Sequence, residues 1–186
     1  AASVFINLIV SGQDDKAAIN ILDKFASKAH GAPSVSMKFD IISNDQSENK
    51  TDTLSGSVII SNNQYKLDLP DNIIWFNGEI SWSYLTAEKE VTITKPDKKD
   101  NSFQSRPSSI FSMYKKGYKS RLIEENSETY IIDLYPEDIK SDLIRVRLSI
   151  GKVLMNLISL EYKKRDGLVM TVSVKEYNLK VKPEPA

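Results

Sequence analysis

Residues Asp71–Ile93 read DNIIWFNGEISWSYLTAEKEVTI, with two tryptophans close on either side of one Asn-Gly pair. Asn-Gly is a strong hairpin signal, because both residues tolerate the positive φ that a two-residue turn demands. A turn at Asn77-Gly78 would set Phe76 opposite Glu79, Trp75 opposite Ile80, Ile74 opposite Ser81 and Ile73 opposite Trp82. Side chains alternate across a strand. One face of the hairpin would then carry Ile73, Trp75, Ile80, Trp82 and Tyr84, and the other Ile74, Phe76, Glu79, Ser81 and Ser83. The first face is wholly apolar and large, so it needs something to pack against.

The segments on either side continue the β pattern. Upstream, VSMKFDI places Val35, Met37, Phe39 and Ile41 on one side and Ser36, Lys38 and Asp40 on the other. GSVII follows a polar loop, and Asn62-Asn63 turns the chain into QYKLDL, with Tyr65, Leu67 and Leu69 aligned. Downstream come KEVTIT, KSRLIEE, TYIIDLYP and LIRVRLSI, the last with Ile144, Val146, Leu148 and Ile150 on one side. VLMNLISLEYKK aligns Leu154, Asn156, Ile158, Leu160 and Tyr162. A second hairpin signal, Asp166-Gly167, leads into Leu168, Met170, Val172 and Val174. Tight turns between successive strands predict an antiparallel meander rather than βαβ units.

Two segments break the β pattern. Ile19, Leu22, Phe25, Ala26 and Ala29 recur at helical spacing from Asp14 to Gly31, predicting one amphipathic helix. RPSSIFSMYKKGY packs Ile110, Phe111, Met113 and Tyr114 into a few residues after Pro107, predicting a short, very apolar helix. The polar stretch Lys95–Arg106 between them reads as a mobile loop.

Composition bounds the function. With 25 basic and 25 acidic residues the formal charge is zero, which gives no footprint for general nucleic-acid binding. No cysteine is present, which excludes disulfides, thiolate catalysis and Cys-based metal sites. The single histidine, His30, sits at the predicted helix end, where it would interact with the helix dipole or serve as a lone base. No nucleophile elbow, phosphate loop or dinucleotide fingerprint occurs, and Glu124-Glu125 and Glu137-Asp138 lie in polar surroundings. Neither an enzyme nor a cofactor or metal site is expected. Lys115, Lys116, Lys119 and Arg121 cluster beside the second helix, solvated or available for docking. Residues 1–12 (AASVFINLIVSG) resemble the end of a secretory signal, with an ordinary N-terminal strand or tail as the alternative. The rest, 13–186, is expected to be a single domain.

About ten strands and two helices leave a sheet with more inner face than the helices can cover. A filled sandwich or closed barrel would resolve this, and so would a curved sheet that keeps apolar area for a guest. Each few hundred Å² left wet would forfeit several kcal/mol, at roughly 25 cal/mol per Å².

The order of segments resembles the periplasmic outer-membrane lipoprotein carriers of Gram-negative bacteria. The likeness rests on an amphipathic helix leading into SVSMKFDI, then on Gly56-Ser57-Val58-Ile59-Ile60. The most specific element is NGxxxWxY with its flanks, here Asn77-Gly78 and Trp82-Ser83-Tyr84, followed by Val91-Thr92. Pro107–Tyr114, Leu134-Tyr135-Pro136 and Asp166-Gly167 complete it. The resemblance implies a mainly β fold, a strongly curved, unclosed antiparallel barrel with a helical lid. It implies a non-catalytic monomer that binds lipoprotein acyl chains and shuttles them from an inner-membrane exporter to an outer-membrane receptor. On that basis the cavity would be lined by Val35, Met37, Phe39, Tyr65, Leu67, Ile73, Trp75, Ile80, Trp82 and Tyr84, with Ile110, Phe111, Met113 and Tyr114 on the lid. The alternative is a non-catalytic envelope sensor or protein-binding module on the same sheet. The Arg-Pro pair by which the best-known members hold their lid has no counterpart in SNNQYKL, so that mechanism does not carry over.

Overall fold

The computed structural model describes residues 15–45, 48–96 and 102–181. The signal-like stretch 1–12 and the middle of the polar stretch after Lys95 lie outside the described residues. Helix α1 (Lys16–His30) is capped by Asp15, whose Oδ1 accepts the Ala17 N–H at 2.9 Å, and it buries Ala18, Ile21, Leu22, Phe25, Ala26 and Ala29 on one side. Eleven strands follow: β1 (Val35–Asp45), β2 (Lys50–Ser61), β3 (Gln64–Leu69), β4 (Asn72–Phe76), β5 (Ser81–Leu85), β6 (Glu90–Thr94), β7 (Tyr118–Glu125), β8 (Thr129–Pro136), β9 (Leu143–Gly151), β10 (Leu157–Lys164) and β11 (Leu168–Asn178). They form one curved, unclosed antiparallel sheet, the architecture expected of an open barrel.

Strand order explains where the cover lies. β1 pairs with both β2 and β11 at the centre, so β1–β6 wind outward in one direction and β7–β11 return from the other. β6 and β7 are therefore the two opposite edges, and residues 102–116, which come between them in sequence, pack over the open side of the sheet. Helix α1, attached to the central strand, drops onto the same side.

The connecting segment is 3₁₀ rather than α-helical. Ser109 N–H bonds Arg106 O, Ser112 N–H bonds Ser109 O, and Lys115 N–H bonds Ser112 O, at 2.9–3.0 Å. This makes two short turns, Pro107–Phe111 and Met113–Lys115. At three residues per turn, side chains three apart eclipse. Pro107, Ile110 and Met113 are all buried, as are Phe111 and Tyr114.

The Trp hairpin differs from its predicted register. The two residues at the turn are Gly78 and Glu79, because Asn77 N–H bonds Ile80 O at 3.2 Å and the Asn77 side chain accepts the Glu79 and Ile80 N–H groups. Gly78, at φ +102°, supplies the left-handed residue. Trp75 consequently faces Trp82, Ile74 faces Ser83 and Phe76 faces Ser81. Ile80 lies in the loop rather than in a strand. Two predicted runs also break: Leu154 belongs to the turn before β10, and irregular pairing between Leu157 and Ser159 leaves Ile158 exposed. A second irregularity at Lys163/Lys164 accompanies the exposure of Ile144.

Candidate functional site: a covered concave sheet face

The concave face is apolar from β4 round to β8. Val35, Met37, Phe39 and Ile41 on β1 sit beside Val58 and Ile60 on β2, then Tyr65 and Leu67 on β3, and all are no more than 5% exposed. The other wall is supplied by Val172, Leu160, Tyr162, Val146, Leu148, Ile132 and Leu134. Gly56 opens room within β2: a Cβ there would come 2.8 Å from Leu69 Cδ2, 2.9 Å from Asp68 O and 3.0 Å from the Phe39 ring. On β5 and β6 the same face turns polar, with Ser81, Ser83, Thr92 and Thr94.

α1 and the strap (residues 102–116) fill the concavity. Phe103 is fully buried with its ring edge-on to Phe39 at 5.0 Å, and Phe111 meets Phe25 of α1 at 5.1 Å. Polar bonds tie this cover down at separate points. Tyr114 Oη donates to Asp23 Oδ1 at 2.5 Å, joining strap to helix, and Tyr65 Oη donates to Ser105 O at 2.7 Å, joining strap to sheet. Asp15 ties the helix start to β7: its Oδ2 accepts the Leu122 N–H at 3.1 Å, and its own N–H bonds Ser120 O at 3.1 Å. Burial and the neighbouring Asp23 carboxylate both push the Tyr114 phenol above its usual range.

Of the residues expected to line a cavity, Val35, Met37, Phe39, Tyr65 and Leu67 share this face, and Ile110, Phe111, Met113 and Tyr114 close over it. Ile73, Trp75, Trp82 and Tyr84 do share a face with one another, but it is the outer one. Leu69 pairs with Asn72 across the Pro70-Asp71 turn, so Leu67 meets Ile74 and Tyr65 meets Phe76. Phe76 is buried accordingly, whereas Trp75 opposes Lys66, whose Nζ lies 5.9 Å from the indole ring. The residues missed were Phe76, Phe103 and the strand-β8 to β11 wall. A lone phenylalanine in the polar run NSFQSR was the signal for Phe103.

The outer face is chemically divided. Over β4–β6 it is apolar: Ile73, Trp75, Trp82 and Tyr84 are joined by Val91 and Ile93, which are 58% and 63% exposed. Over β8–β10 it is ionic. Asp133, 1% exposed, accepts from Arg147 Nε at 2.6 Å and from Nη2 at 2.8 Å, and Arg145 pairs with Glu161. His30 is exposed beside Phe111, and among the described residues no group of three or more His, Asp or Glu could hold a metal ion.

The fold has known counterparts. An uncharacterised conserved protein from Thermus thermophilus superposes with a TM-score of 0.60 at 12% identity, covering 91% of this chain and 95% of that one. The lipoprotein LppX of Mycobacterium tuberculosis gives 0.51 at 10% identity, covering 90% and 98%. A putative outer membrane lipoprotein-sorting protein domain from Vibrio parahaemolyticus gives 0.50 at 10% identity, covering 91% and 94%. Among curated proteins, none matches the chain by sequence. The family model described as outer membrane lipoprotein carrier protein LolA matches residues 8–177, and the chain, with its open eleven-stranded sheet, is a divergent member of that family.

Proposed function

We propose that the protein is a non-catalytic carrier of the cell envelope that takes up the acyl chains of lipoproteins on the concave face of its sheet. One observation supports this reading above the others. Among the described residues, the apolar face is covered by a helix and a strap held at separate polar points, rather than by a second sheet woven into the hydrogen-bond ladder. Such a cover can leave without breaking any strand pairing. The side chains that fill the concavity, Phe103, Ile110, Phe111 and Met113, are all apolar, and an acyl chain can replace them at little cost in apolar contact area. Binding then exchanges internal for external hydrocarbon, so its net free energy is small and cargo can be handed on. The route from an inner-membrane exporter to an outer-membrane receptor extends the family's task to this chain. The Tyr114–Asp23 bond would serve where other members use an arginine.

Titration with a fluorescent long-chain fatty acid, followed by photolabelling with a photoactivatable one, tests the proposal. Saturable binding is expected, with label on peptides containing Phe39, Leu67 and Phe103–Tyr114. Label confined to the Trp75–Trp82 face, or no saturable binding, would overturn it and favour a protein-binding module.

A further inference from the structure

Strand β6 is a bare edge: all five residues of EVTIT are exposed, and among the described residues the strand has a neighbour on one side only. Its backbone orientation follows from the hairpin beside it. Asn77 N–H bonds Ile80 O and Thr86 N–H bonds Asp71 O, so 77/80 and 71/86 are hydrogen-bonded positions that continue the β4–β5 register one residue beyond each end of the ladder. Bonded and non-bonded pairs alternate along an antiparallel ladder. Trp75/Trp82 and Ile73/Tyr84 are therefore also bonded pairs, and Ser81, Ser83 and Leu85 direct their backbone groups to Thr94, Thr92 and Glu90. The backbone N–H and C=O groups of Val91 and Ile93 are left pointing away from the sheet. These same residues carry the most exposed apolar side chains of the strip.

A second copy of this chain matches that edge in one register. Outward groups must meet outward groups, so the bonded pairs can be Val91 with Val91, Ile93 with Ile93, or Val91 with Ile93. The first places Ile93 opposite Lys89, and the second places Val91 opposite Lys95. The third pairs every residue of the strand: Glu90 with Thr94, Val91 with Ile93, and Thr92 with itself on the two-fold axis. It also carries the Trp75–Trp82–Ile93 row directly into the Val91–Tyr84–Ile73 row of the second copy. Beyond the strand ends Lys89 would approach Lys95, but Lys95 is already paired with Glu79 at 3.0 Å.

We propose that β6 is the contact edge of a two-fold dimer, joined by the Val91–Ile93 bonds and by the continued apolar strip. A single strand pair falls short of the about 1,200 Å² at which stable interfaces begin, so the association is weak and concentration-dependent. This departs from the monomer expected from sequence and does not depend on acyl binding.

The full chain has no cysteine, so Thr92→Cys carries a single thiol. In the proposed register Thr92 and its copy form a non-bonded pair, with Cα atoms about 4.5 Å apart, within disulfide reach. Mild oxidation should give a disulfide dimer at least about tenfold faster for Thr92→Cys than for Glu90→Cys, whose counterpart is Thr94 rather than itself. Val91→Pro removes an outward N–H that no bond among the described residues uses, and proline is tolerated in such an edge position. It should abolish self-association in sedimentation equilibrium while the far-UV spectrum is retained. A wild-type chain that sediments as a monomer up to about 0.5 mM, with both cysteine variants linking equally slowly, would overturn the proposal. The same monomeric result follows if another protein's strand uses this edge, and it too would overturn it. Should Val91→Pro unfold, the comparison of the two cysteine variants still decides.

Discussion

Tyr114→Phe separates the strap's latch from its packing. The ring is 6% exposed and stays in place in the variant, so the apolar contribution is kept and what is lost is the 2.5 Å bond to Asp23. A hydrogen bond to a charged group contributes about 1.5–3 kcal/mol, and the exposed surroundings of Asp23 argue for the lower end. If an acyl chain enters only when the strap is open, the apparent dissociation constant is the intrinsic one divided by the open fraction. Weakening the latch by about 1.5 kcal/mol then raises the open fraction, and with it the apparent affinity, about tenfold while the closed state dominates. Titration of wild type, Tyr114→Phe and Asp23→Asn with one fluorescent fatty acid measures this. Both variants should bind more tightly, and the urea midpoint of Tyr114→Phe should fall. An unchanged or weakened affinity in a folded Tyr114→Phe would refute the reasoning. The pH dependence has a definite sign. The folded phenol titrates above its ordinary value of 10.0, because burial and the Asp23 carboxylate favour the protonated form. Its contribution is complete below pH 10 and is lost as pH rises through the higher folded value, so the phenol adds no pH dependence below about pH 9.

Asp15→Ala removes both the cap of α1 and the Leu122 tie, and should lower stability by about 1–2 kcal/mol, read as a reduced melting temperature. Gly56→Ala drives a Cβ into Leu69, the Asp68 carbonyl and Phe39, and should cost about 1–3 kcal/mol in urea unfolding, since the backbone carbonyl cannot swing away. Trp75→Ser on the outer face should leave acyl affinity within about twofold of wild type, whereas substitutions at Leu67 or Phe39 should reduce it. Asp133→Asn removes the charge facing Arg147 and Arg145, and should destabilise by about 1–3 kcal/mol, less than for a fully buried pair because Arg147 remains a third exposed.

Strict alternation made β1 legible, and the helical period made α1 legible: Leu22, Phe25, Ala26 and Ala29 all turn inward as spaced. The Asp166-Gly167 hairpin was equally plain, with Gly167 at positive φ between β10 and β11. Periodicity fails where the ladder is irregular. At Leu157/Ser159 and Lys163/Lys164 the pairing shifts by a residue, so extrapolating one face along LIRVRLSI or VLMNLISLEYKK assigns Ile144 and Ile158 wrongly. The strap posed a different difficulty. An apolar cluster of a few residues has no period long enough to separate a 3.6-residue turn from a 3.0-residue one, and its bonds, spaced every third residue, are decided by its packing over the open side of the sheet.

The orientation of the tryptophans was recoverable by following parity through two turns. A two-residue connection makes the paired numbers sum to an odd value, so odd-numbered residues of one strand share a face with even-numbered residues of the next. With Tyr65 and Leu67 inward, the Pro70-Asp71 turn sends Ile74 and Phe76 inward and Ile73 and Trp75 outward. Shifting the next turn from Asn77-Gly78 to Gly78-Glu79 keeps the sum odd, so it changes who faces whom but not which side each residue takes. Taking the larger apolar face as the buried one assumes that a sheet has a single apolar face. This sheet has two around β4 and β5, and the inner one there carries Ser81 and Ser83 while the outer carries both indoles. Hydrophobic amount alone therefore points the wrong way, and connectivity decides. An outer surface richer in aromatic side chains than the inner surface behind it is retained at a cost in solubility, and that cost is offset when another chain covers it.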